Sequence, residues 1–132
     1  MTFLIKHITP PAEVSSKMRI LIVDDDPLAG EMTQAILEEA GHDCLFAANG
    51  LEALEHLADE TPFELLVSDL HMPLLSGLEL FREIREQGLD LPFVLLTGDD
   101  PEPLRAQTPG LAACLMKDDS LETDLPRLIA QL

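Results

Sequence analysis

Apolar positions along this chain follow two alternating rhythms. Residues 20–23 (ILIV) form an unbroken branched-aliphatic run, the pattern of a parallel strand covered on both faces. Leu28, Met32, Ile36 and Ala40 then recur every four residues and Gly41 follows, which predicts a first helix with those side chains as its apolar face. A second strand is expected at 44–48 (CLFAA). Asn49 with Glu52 three residues on has the form of a capping box and opens a short helix through Leu51, Leu54 and Leu57. Pro62 closes that element, and residues 63–68 (FELLVS) predict the third strand. Between Gly77 and Gly88, Phe81 and Ile84 share one side while Glu79, Arg82, Glu83 and Glu86 share the other. A fourth strand follows at 93–96 (FVLL).

Beyond this point the pattern weakens. Pro101, Pro103 and Pro109 leave room for a short helix only, because proline fits a helix in its first turn. Residues 113–116 (ACLM) predict the fifth strand, and a last helix from Leu121 to Leu132 has to absorb Pro126. Five strand–helix units predict a flavodoxin-like α/β fold: a doubly wound, five-stranded parallel sheet with helices on both faces. The expected strand order is 2-1-3-4-5, with the functional site at the carboxyl ends of the strands, near the switch between the first and third. Residues 18–132 form this domain. Residues 1–17, interrupted by Pro10 and Pro11, are expected to be a flexible arm.

Charge narrows the function. The chain has 132 residues, with 8 Lys plus Arg against 25 Asp plus Glu, for a net charge of −17. Such a surface repels nucleic acid and anionic membranes, so neither is an expected partner. No apolar run approaches the roughly 20 residues that span a bilayer, and the opening MTFLIKHITPP lacks the features of a secretory signal. Cys44 and Cys114 lie far apart without metal-ligand spacing and are expected as reduced core thiols, consistent with a cytoplasmic setting. Between Arg19 and Arg82 there is no Lys or Arg, while fourteen acidic residues fall in that interval.

Several of the polar residues fall on the predicted strand ends. Asp24, Asp25 and Asp26 end the first strand, Asp69 the third, Thr97 the fourth and Lys117 the fifth. Converging carboxylates repel and do not all stay ionised without a cation. All-oxygen ligands with room for water suit Mg²⁺. A carboxylate beside such an ion is a nucleophile toward phosphorus, with a Lys and a hydroxyl to stabilise the transferred group. Asp26 reads as a cap before Pro27, and Met72 and Met116 as packing residues. His7, His42 and His56 read as surface positions.

With these residues in place, the sequence resembles the receiver domain of two-component response regulators, the CheY-like family. The resemblance is carried by RILIVDDDPL at 19–28, LLVSDLHMPLLSG at 65–77, FVLLTGD at 93–99 and LMK at 115–117. It implies that Asp69 is the phosphoacceptor, Asp25 the principal Mg²⁺ ligand and Asp24 a ligand through water. It also implies that His71 offers its backbone carbonyl to the metal, Thr97 its hydroxyl to the phosphoryl group and Lys117 its ammonium to the same group. The implied partners are a histidine kinase or histidine phosphotransfer protein as donor and a downstream protein target. Such a chain catalyses its own Mg²⁺-dependent phosphorylation and dephosphorylation and is not otherwise an enzyme. At His71 and Asp99, two residues beyond Asp69 and Thr97, the family tunes the lifetime of the phosphoryl group.

Two positions depart from the family's pattern. Asp118 follows Lys117 where the family usually has a proline joined by a cis bond, so a trans bond and a reshaped loop are expected, with Asp118 placed to compete for Lys117. Cys114 stands where the family tends to place Tyr or Phe, so the aromatic relay of the signal is expected to be absent. These departures favour an alternative, a pseudo-receiver that binds partners without cycling phosphate. A third reading takes Asp24 as the nucleophile of a phosphatase of the haloacid-dehalogenase kind, with Thr97, Lys117 and Asp118–Asp119 as its later motifs. Leu28 and the absence of a cap domain fit that poorly.

Overall fold

A computed structural model describes residues 17–59 and 62–132 of the chain. Five strands, β1 (Arg19–Val23), β2 (Asp43–Ala47), β3 (Leu65–Asp69), β4 (Phe93–Thr97) and β5 (Ala113–Met116), alternate with five helices. These are α1 (Pro27–Glu39), α2 (Gly50–Leu57), α3 (Gly77–Glu86), α4 (Glu102–Gln107) and α5 (Leu121–Ile129). All strand pairs are parallel and the order is β2-β1-β3-β4-β5, as the alternation of elements predicts. The flexible arm expected at 1–17 lies, except for Lys17, outside the described residues.

The branched-aliphatic strands divide by parity into two cores. Leu21, Val23, Leu66, Phe93 and Leu95 join Leu80, Phe81 and Ile84 of α3 on one face. Ile20, Ile22, Leu65, Val67, Val94 and Leu96 join Leu37 of α1 and Leu121, Leu125 and Ile129 of α5 on the other. Each such side chain taken fully out of water contributes roughly 1.5–3 kcal/mol. A sheet covered on both faces puts its only open backbone at the strand ends and at the edge strands β2 and β5.

Several local expectations are corrected. The buried stripe of α1 is Gly30, Thr33 and Leu37, while Leu28 and Met32 are 67% and 61% exposed. Gly30 sets this rotation, because a Cβ there would lie 2.2 Å from the Phe46 ring, so the helix rests on its glycine. The third strand begins two residues later than predicted and includes Asp69. Asn49 caps α2 by accepting from the Glu52 amide at 2.8 Å, but Glu52 accepts from Ala48 rather than closing the box on Asn49. A complete capping box instead opens α3, between Ser76 and Glu79. His42 is buried, and its Nδ1 accepts from the Met18 amide at 3.1 Å. Pro126 sits inside α5, and Glu122, one turn earlier, whose carbonyl loses its helix donor, is an exposed residue.

Candidate functional site

The parallel sheet brings the expected residues to one edge. Asp24 follows β1, with its amide donating to the Ala47 carbonyl of β2 at 3.1 Å. Asp69 ends β3, Thr97 ends β4, and Lys117 follows β5, its amide donating to the Thr97 carbonyl at 2.7 Å. Asp24, Asp69 and Thr97 are buried, whereas Asp25 is exposed. Carboxylate oxygens of Asp24, Asp25 and Asp69 lie within 4.8 Å of one another.

Lys117 reaches into this cluster from the opposite side. Its Nζ donates to Asp24 Oδ2 at 2.9 Å and to Asp69 Oδ1 at 3.1 Å. Burial opposes the Lys117 charge, but the hydrogen bonds and charges of Asp24 and Asp69 outweigh it and hold its pKa above the ordinary lysine value. Burial also pushes Asp69 above the usual carboxylate range, against the pull of Lys117 and with the added repulsion of Asp24 and Asp25. Three carboxylates against one ammonium leave an uncompensated double negative charge. Such a set of oxygen ligands, one of them open to solvent, fits a divalent cation.

The loops around Asp69 are shaped by close packing. A Cβ at Gly77 would lie 2.3 Å from the Asp69 carbonyl oxygen, so only glycine lets α3 begin against the strand end. The Gly77 amide donates to the Leu70 carbonyl at 2.9 Å, and Ser68 Oγ donates to the Asp69 carbonyl at 2.9 Å. Leu74 turns the intervening loop with φ 71° and is exposed. Met72 is buried beneath this loop, as a packing residue should be. His71 is exposed, with Nε2 3.7 Å from the Asp99 carboxylate across the mouth of the site. Thr97 Oγ1 accepts from the Asp99 amide at 3.1 Å.

Asp26 caps α1 by accepting from the Leu28 amide at 3.0 Å, the capping role expected of it. No cis peptide bond occurs among the described residues, so Lys117 joins Asp118 in trans. The expected competition for Lys117 is absent. Asp118 instead accepts from the Ser120 amide at 2.9 Å and the Ser120 hydroxyl at 2.6 Å, bonds that hold its pKa below the usual value. Cys44 and Cys114 are free thiols, as expected. Burial, with Glu38 and Asp43 nearby, pushes Cys44 up to about 12. Burial also raises Cys114.

Sequence reasoning missed Ser68, the close approach at Gly77 and Arg105, whose guanidinium donates to the Cys114 carbonyl of β5 at 2.6 Å. The Ser76–Glu79 box was readable from its spacing; the other three depend on which strands become neighbours. Among the described residues no helix is long and apolar enough to cross a membrane.

Comparison with known proteins agrees with this arrangement. The profile of the response regulator receiver domain matches residues 20–126. Response regulator MprA of Mycobacterium avium is 39% identical over 117 residues, covering 87% of this chain and 51% of that protein. The chain therefore spans about half the length of the curated relatives it matches. Among solved structures, the response regulator TrrA from Thermotoga maritima, in complex with Mg²⁺–BeF, is 32% identical with a TM-score of 0.71, over 83% of this chain and 97% of that one. A response regulator receiver domain protein from Clostridium thermocellum is 26% identical with a TM-score of 0.76, over 86% of this chain and 91% of that one. The chain belongs to the response regulator receiver domain family.

Proposed function

We propose that this domain accepts a phosphoryl group on Asp69 from a phosphohistidine donor, a histidine kinase or a histidine phosphotransfer protein, and signals through a protein partner. The observation that carries this reading is the setting of Asp69. It is a buried strand-end carboxylate with Asp24 and Asp25 within 4.8 Å and the Lys117 ammonium 3.1 Å away.

In the transfer, the Asp69 oxygen not held by Lys117 attacks phosphorus. The new O–P bond forms as the N–P bond to the donor imidazole breaks, and the nitrogen keeps the electron pair. Asp25 and Asp69 would hold Mg²⁺ directly, Asp24 through water, and His71 through its backbone carbonyl. When bound, the ion neutralises charge on the phosphoryl oxygens. Lys117, released from part of its pairing with Asp69, takes up one phosphoryl oxygen, and the Thr97 hydroxyl donates to another. The domain thus acts on itself and on its donor. Asp118 is occupied by Ser120 and leaves Lys117 for this role, which weighs against the pseudo-receiver.

The donor's chemistry follows from the surface beside Lys117. A groove of about 500 Å³ runs between α1 and α5, lined by Met32, Ile36 and Leu121 together with Lys117, Asp118, Asp119 and Glu122. Helix α1 adds Glu31, Glu38 and Glu39 and carries no base. A donor presenting an apolar ridge flanked by Lys or Arg fits this surface.

Intact mass after incubation with acetyl phosphate and Mg²⁺ tests the assignment. One phosphoryl adduct is expected, absent in Asp69→Ala and absent when EDTA replaces the metal. A folded protein without an adduct would shift the assignment to the pseudo-receiver.

A further inference from the structure

Helix α4 packs on β5 at the free edge of the sheet, and its part in signalling rests on the phosphorylation of Asp69 proposed above. Helix α4 has six residues, none of them buried, and its N-cap residue, Pro101, offers no side-chain acceptor. Little apolar burial therefore fixes its position; Leu104 alone packs partly against the core. Polar contacts hold it instead. The Arg105 guanidinium donates through Nη2 to the Cys114 carbonyl of β5 at 2.6 Å and pairs through Nη1 with Glu102 on its own helix. Among the described residues, strand β5 is an edge strand, paired to β4 alone with Cys114 opposite Leu95. A carbonyl on the open side of that strand has no sheet partner, and Arg105 supplies one.

The other end of the same segment is tied to Thr97. The Asp99 amide donates to Thr97 Oγ1, and Asp100 Oδ1 accepts from the Glu102 amide at the start of α4. One hydroxyl thus holds the loop that leads into α4. If Thr97 turns that hydroxyl toward a phosphoryl group on Asp69, its bond to the Asp99 amide is disturbed. The displacement passes through residues 98–101 into a helix whose remaining polar anchor is Arg105.

We propose that Arg105 is the latch of the phosphorylation response: it pins α4 to the Cys114 carbonyl in the unphosphorylated domain, and the shift of Thr97 releases it. A guanidinium suits this task because its planar fork spans Glu102 and the carbonyl at once, which an ammonium does not do in fixed geometry. With the small Cys114 side chain buried in the sheet, this anchor is made by the backbone of β5, and the signal needs no aromatic ring to reach the α4–β5 surface. Arg105 touches none of the phosphorylation residues, so it is a positioning residue and its removal leaves the chemistry at Asp69 intact.

Amide hydrogen exchange, read in Mg²⁺ alone and in Mg²⁺ with beryllofluoride, tests the latch. The reporter is the Arg105 amide position, which donates to the Pro101 carbonyl at 2.9 Å. In the unaltered protein, beryllofluoride should speed exchange there about tenfold or more. In Arg105→Gln, exchange should already be fast in Mg²⁺ alone, with little further change, while acetyl phosphate still modifies Asp69 at the ordinary rate. Arg105→Lys should fall between the two. An equal acceleration by beryllofluoride in Arg105→Gln and in the unaltered protein would overturn the latch and leave Arg105 a static brace. No acceleration in the unaltered protein, with beryllofluoride seen to perturb the amides around Asp69, would overturn it as well. Failure of beryllofluoride to perturb those amides would remove the phosphorylation reading itself, and the latch with it.

Discussion

Lys117→Met removes the one ammonium from a cluster of three carboxylates and leaves a side chain of similar reach. The loss is two hydrogen bonds, 2.9 Å to Asp24 and 3.1 Å to Asp69, whose side chains are 3% and 10% exposed. Stranding buried charge in this way costs about 3–5 kcal/mol. The Lys117 side chain is itself 23% exposed, so water screens part of the interaction and the lower end, about 3 kcal/mol, applies. For a domain of this size each kcal/mol lowers the melting temperature by about 4 °C, which gives a fall of about 12 °C in EDTA. Mg²⁺ should recover much of that loss. Two unit charges about 4 Å apart interact by about 4 kcal/mol at an effective dielectric constant near 20. Removing the ammonium should therefore tighten divalent binding by at least about tenfold, even as acetyl phosphate ceases to modify Asp69 efficiently. Calorimetric melting across a Mg²⁺ titration reads both effects. A fall of less than about 3 °C in EDTA, with an unchanged Mg²⁺ midpoint, would refute the view that Lys117 neutralises this cluster.

Gly77→Ala should destabilise the domain by about 1–3 kcal/mol and slow phosphorylation, because its Cβ would press on the Asp69 carbonyl oxygen; urea unfolding and the acetyl phosphate reaction check the two parts. His42 is held by burial below the ordinary histidine pKa of 6.5. Its unfolded state therefore binds the proton more readily, so the stability it contributes is present above 6.5 and is lost as pH falls through the lower folded value. Urea midpoints from pH 7.5 to 5 should show that decline, and His42→Gln should flatten it. Association with a phosphohistidine donor should slow roughly tenfold from low to high salt, as stopped-flow rates would record; a rate indifferent to salt would remove the acidic groove from recognition.

The strand order and the edge that gathers the candidate site residues were legible because the strongest signals were present. The branched-aliphatic runs read as buried parallel strands, and Asp24, Asp25, Asp69, Thr97 and Lys117 each fell at a run's end. In a parallel sheet all such ends meet on one side, so one-dimensional spacing became a three-dimensional cluster. The face of α1 was not legible. Leu28 and Met32 have the right period, but Gly30 against Phe46 allows a closer approach than any side chain, and proximity won over hydrophobicity. Asp118 showed a related gap: a carboxylate next to Lys117 in sequence turned to Ser120, because a trans bond sends successive side chains apart. His42 and Arg105 depend on partners 24 and 9 residues away, and no local pattern marks either one.

The central claim is that Asp69 carries the phosphoryl group, and acyl phosphate chemistry allows a direct reading. After reaction with acetyl phosphate and Mg²⁺, borohydride reduction converts an aspartyl phosphate to homoserine, and peptide mass mapping then locates it. Homoserine at position 69 alone, and at no position in protein treated without metal, is the predicted result. Homoserine at position 24, or none at all in folded protein, would contradict the account.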